Sequence, residues 1–86
     1  MNYQIIIPES VYVELNEVAL YYESKEDNLG VKFVMHWEKA MEQLKKSPLL
    51  YQKKYKQLRS IHVNRFPYLL VYEIPVVADL QFVTVY

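Results

Sequence analysis

The stretch Arg59-Ser60-Ile61-His62-Val63-Asn64-Arg65-Phe66-Pro67-Tyr68-Leu69-Leu70-Val71-Tyr72-Glu73-Ile74 decides the fold of this chain. Ile61 and Val63 recur with period two, Phe66-Pro67 interrupts the run, and a second β-branched and aromatic run carries on to Ile74. Read outward from this pair, strands are predicted near 55–64, 68–74 and 80–86, with Pro75 to Asp79 connecting the second to the third. Three antiparallel strands in succession make a meander.

Upstream the period changes. Tyr3, Ile5 and Ile7 form a short strand that Pro8 closes. Val11, Leu15, Val18, Ala19 and Tyr22 then follow the i, i+4, i+7, i+8, i+11 spacing of one helix face, with Ser10 as the predicted cap and the helix ending between Lys25 and Leu29. Phe33, Trp37, Ala40, Met41 and Leu44 repeat the same spacing in a second helix, which Ser47-Pro48 ends. Gly30, the only glycine, is predicted to mark the tight connection between the helices. The order β-α-α-β-β-β predicts an α+β domain in which a helical hairpin packs on one face of a small, mainly antiparallel sheet and leaves the other face open.

Eighty-six residues, 52% of them hydrophobic, suffice for a single domain spanning residues 1–86. Nine tyrosines, three phenylalanines and one tryptophan predict a ring-rich core. With no cysteine there is neither a disulfide nor a thiolate metal site, which suits a reduced cytoplasm. Ile5 to Ile7 is too short for a signal peptide or a spanning helix, so a soluble cytoplasmic protein is expected. One glycine cannot build a phosphate loop, and neither a nucleophile elbow nor a zinc motif is visible, so no cofactor and no metal are expected.

The formal charge is zero, yet the charges are segregated. Residues 1–42 hold eight acids and three lysines, whereas residues 43–72 hold seven cations and no acid. On a straight strand from 54 to 64, Ile61 and Val63 face the helices while Lys54, Lys56, Ser60, His62 and Asn64 look outward. Such a cationic face beside Tyr68 and Tyr72 suits single-stranded RNA, because cations hold phosphates and rings stack on bases. A solvated strand face with core tyrosines accounts for the same residues. Arg59 and Arg65 share the parity of the buried pair, which does not fit a single cationic face. His62 has the pKa range of a general acid or base, whereas His36, on the second helix without a partner at metal spacing, is read as structural.

The stretch from Arg59 to Ile74, with Arg65-Phe-Pro-Tyr68 at its centre, resembles the RelE/ParE toxin superfamily of type II toxin-antitoxin systems, and in particular its plasmid-stabilisation members. Tyr21-Tyr22-Glu23, Leu29-Gly30, Lys32-Phe33, Leu44 and Ser47-Pro48 agree, so the likeness covers nearly the whole chain. The resemblance implies a growth-inhibiting toxin with a cognate antitoxin partner. Its target would be the ribosome with mRNA, cleaved by a metal-independent endonuclease, or DNA gyrase, bound without cleavage; the alternative is an inactive domain that only binds a protein partner. In the nuclease reading Arg59 and Arg65 stabilise phosphate, Lys54 or His62 move protons, Lys53 and Lys56 hold RNA, and Tyr68 or Tyr72 stack a base. Relatives usually continue into a short tail with His or Arg and a Pro, where this sequence reads Thr84-Val85-Tyr86, so a cation carried by that tail is not expected here.

Overall fold

The computed structural model describes residues 3–75 and 82–86. Among them the chain forms β1 (Gln4–Ile6), α1 (Glu9–Lys25), α2 (Leu29–Lys46), β2 (Lys53–Tyr55), β3 (Leu58–His62), β4 (Leu69–Glu73) and β5 (Phe82–Val85). The sheet order is β1-β5-β4-β3-β2, with β1 parallel to β5 and every other pair antiparallel. The α+β architecture predicted from the sequence is present, a helical hairpin against a mixed sheet. The predicted connection from 76 to 79 and the first two residues of the strand predicted at 80–86 lie outside the described residues.

One detail is corrected. The strand predicted at 55–64 is a hairpin, in which Lys53 pairs with Arg59 and Tyr55 with Leu58 around a two-residue turn, Lys56-Gln57. Lys56 adopts a left-handed backbone, φ 52°, which reverses the chain there. Lys54 and Lys56 therefore do not continue the outward face of β3.

Each element follows from its local chemistry. The α2 stripe is buried at every predicted position: Phe33, Trp37, Ala40, Met41 and Leu44. In α1 only Val11 and Leu15 are buried, and Val18, Ala19 and Tyr22 pack at the margin of the core. Register places Ile61, Leu70, Tyr72, Val85, Val83 and Ile5 on the helix-facing side of the sheet, and the first five are buried. Full burial of one such side chain contributes about 1.5–3 kcal/mol.

The helix ends differ from expectation in two ways. Pro8, in extended conformation, precedes α1 and its carbonyl accepts from the Val11 N–H at 3.0 Å, so Ser10 lies inside the helix and does not cap it. Between the helices the left-handed residue is Asn28, φ 71°, whereas Gly30 is already helical and buried. A Cβ on Gly30 would run into the Ala19 carbonyl oxygen and meet the Glu23 Cβ at 3.1 Å. The glycine serves the close approach of α1 and α2, and the turn itself is made by Asn28. Ser47-Pro48 ends α2 as predicted, the Ser47 N–H donating to the Gln43 carbonyl.

Candidate toxin surface

Phe66, the centre of the Arg65-Phe66-Pro67-Tyr68 turn, is buried in a cluster of rings. Its centroid lies 4.9 Å from Tyr22 and 5.1 Å from Phe33, and Tyr68 meets Phe33 edge-on at 5.2 Å. Edge-to-face pairs of this kind add about 0.5–1.5 kcal/mol each beyond the area they bury. The Val63 N–H donates to the Tyr68 carbonyl at 2.9 Å and the Phe66 N–H to the Val63 carbonyl at 3.1 Å, closing the turn. The motif thus locks the β3–β4 hairpin against the helices. Burial raises the Tyr68 hydroxyl pKa, and Glu14 adds to the effect.

Arg65 is carried by this turn, exposed and at φ 73°. Arg59 is engaged elsewhere. Half-buried opposite Tyr72, it donates from Nη1 to the Tyr51 carbonyl at 2.5 Å and to the Leu49 carbonyl at 3.5 Å. Its parity with Ile61, awkward for an outward cationic face, brings the guanidinium to the carbonyls of the segment after α2. Tyr72 is fully buried and donates its hydroxyl to the Pro48 carbonyl at 2.6 Å. The expectation that Tyr72 stacks a base is therefore corrected, because its ring has no open face. Burial pushes its pKa up to about 12, with Arg59 opposing and Tyr51 reinforcing the shift.

Lys53, Lys54 and Lys56 are exposed along β2 and its turn, with the Lys56 ammonium 5.4 Å from the Tyr55 ring centroid. His62 is exposed at the end of β3. The outward sheet face beside it carries Ser60, Leu69, Val71, Glu73 and Thr84, so the cationic face expected there is replaced by a mostly uncharged one. The four residues assigned catalytic roles from the sequence sit on different features: Lys54 on an edge, Arg59 under a loop, His62 at a strand end and Arg65 on a turn.

Three further regions were missed in the sequence. Leu20, Val31 and Met35, each more than half exposed, line an apolar groove of about 410 Å³ between α1 and α2. Beside it, a cleft of about 360 Å³ takes in Tyr12, Leu15, Trp37 and Met41, and the buried Trp37 indole N–H has no partner among the described residues. On the other side of α2, a polar cleft of about 310 Å³ gathers His36, Lys39, Ala40 and Gln43 with His62 and Asn64. Their i, i+3, i+4, i+7 spacing on α2 was readable, but their apposition to β3 was not. Among the described residues no group of three or more His, Cys, Asp or Glu can hold a metal ion, and no helix is long and apolar enough to cross a membrane.

The resemblance to the RelE/ParE superfamily implied a helical hairpin on an antiparallel sheet, and the hairpin is present on a sheet that is antiparallel except for the β1–β5 pair. The chain belongs to the ParE toxins of type II toxin-antitoxin systems, parDE, whose family model matches residues 5–86. Compared with curated proteins, the chain has no significant match.

Proposed function

We propose that this toxin arrests growth by binding DNA gyrase and does not cleave mRNA. Cleavage at a ribose 2′-hydroxyl requires a base, an acid and a cation gathered on one phosphate. The observation that carries the reading is the engagement of Arg59 and Tyr72 in holding the segment after α2, which withdraws a cation and a ring from the nuclease site that the sequence suggested. Membership of the ParE family points the same way. The test is a supercoiling assay with purified gyrase, run beside primer extension on translated mRNA. Inhibited supercoiling with intact mRNA is expected; breaks that require ribosomes would overturn the reading.

The antitoxin partner is assigned to the outer groove of the hairpin. An amphipathic helix with anchors at i, i+3, i+4 and i+7 suits an apolar groove of this shape. Hydrogen exchange of the toxin with and without its antitoxin tests this, with protection expected on the helices around Leu20 and Met35.

A further inference from the structure

The polar cleft beside α2 arises because β3 loses its outer neighbour. Among the described residues β2 pairs with β3 only at Leu58 and Arg59, so from Ser60 onward the strand has no outer neighbour there. His36, Lys39, Ala40 and Gln43 recur on one face of α2 and line the cleft together with His62 and Asn64. Ala40, buried and small, keeps the floor open.

The chemistry of the lining is one-sided. Lys39 supplies an ammonium group, and no carboxylate is among the residues that line the cleft, Glu38 and Glu42 lying with Lys39 on a neighbouring groove of α2. The Gln43 side-chain oxygen accepts from the Tyr51 hydroxyl at 3.3 Å, which leaves the amide NH₂ as its donor end. His36 tilts against Phe66 at 6.0 Å between centroids with Nδ1 buried, so Nε2 is the ring nitrogen left for a ligand. Asn64 adds another amide. A cation meeting Lys39 and the amide donors would be repelled, whereas an oxyanion would find several donors converging.

We propose that this cleft binds a phosphate group, held by Lys39, His36, His62 and the side-chain amides of Gln43 and Asn64. The site is separate from the hairpin groove and does not depend on gyrase being the target. A free phosphomonoester and the phosphodiester of a nucleic-acid backbone both present anionic phosphoryl oxygens, and the cleft of about 310 Å³ admits an attached sugar.

The experiment is an NMR titration of the whole protein with inorganic phosphate at constant pH and ionic strength, with chloride as the reference anion. Saturable shifts are expected in the imidazole signals of His36 and His62 and in the Asn64 side-chain amide. Lys39→Gln and His62→Gln, both at exposed positions that leave the core intact, should each weaken binding by about tenfold or more, as loss of a charge-assisted hydrogen bond implies. Titration with ribose 5-phosphate and with a single-stranded oligonucleotide, each in competition with phosphate, separates the two sources of the group. Shifts that never saturate, that chloride reproduces, or that fall on Lys53, Lys54 and Lys56 would overturn the proposal.

Discussion

Glu23, on α1, caps α2 through the amide of Gly30, and the same glycine lets the two helices come together. The carboxylate accepts from the Gly30 N–H at 3.0 Å and from the Asn28 N–H at 2.8 Å, satisfying two donors at the start of α2 with a side chain from the preceding helix. This joins the Tyr21-Tyr22-Glu23 and Leu29-Gly30 segments, on either side of the interhelical turn, into one structural joint. Tyr22 of the same segment packs on Phe33 at 5.4 Å between centroids.

Replacing Gly30 with alanine is therefore expected to destabilise the protein although alanine favours helices. The added Cβ has no room against the Ala19 carbonyl oxygen, which is backbone and cannot swing aside. Overpacking of this kind costs about 1–3 kcal/mol, more than the roughly 1 kcal/mol that alanine gains over glycine in helix propensity. Urea denaturation of Gly30→Ala measures the balance, and a gain in stability would show that the helices can separate freely.

Removing the Glu23 carboxylate should cost about 1–2 kcal/mol, the range for a lost helix cap that also carries charge. Glu23→Gln retains an acceptor and should fall between the wild type and Glu23→Ala. Equal stability of all three proteins would mean that solvent serves the two amides as well as the carboxylate does.

Tyr72 predicts a response to alkaline pH. Its hydroxyl, held to the Pro48 carbonyl in the core, has its pKa raised from 10.0 to about 12, so the folded protein keeps a proton that the unfolded chain releases first. This contribution is complete below pH 10 and is lost as pH rises from 10 toward about 12. Tyr86, raised by its hydrogen bond to Glu73, and Tyr68 act in the same direction. Tyr72→Phe should lose about 1–2 kcal/mol at neutral pH, because the buried Pro48 carbonyl is left without its donor, and should decline less steeply in alkali. An identical alkaline decline in both proteins would remove Tyr72 as a cause.

The helices were legible because a 3.6-residue period leaves a stripe that needs no knowledge of its partner, and the α2 stripe is buried at every position read from it. The β2–β3 turn was not, since Lys56-Gln57 contains none of the residues that usually signal a reversal. Pairing of β1 with β5 joins the two ends of the chain and has no local signal. Arg59 was half legible: its parity with Ile61 placed it on the helix side, but the carbonyls of Leu49 and Tyr51 that receive it belong to a segment without periodicity. His36, read as structural, meets His62 in one cleft only because β2 is short.

Arg65 offers the sharpest separation of folding from function on the toxin surface. It stands exposed at φ 73° on a turn already fixed by the Val63–Tyr68 hydrogen bond and by the burial of Phe66. A side chain there costs about 1–2 kcal/mol relative to glycine, partly offset because glycine is freer in the unfolded chain. Arg65→Gly should therefore be as stable as the wild type or up to about 1 kcal/mol more stable, while removing the one cation that the motif presents to solvent. If the arginine serves the toxin, the variant keeps its antitoxin, proposed above to bind the helical groove, yet loses inhibition of supercoiling. Retained inhibition with unchanged or improved stability would mean that Arg65 contributes nothing to the target interface, and the basic edge of Lys53, Lys54 and Lys56 would then be the surface to mutate next.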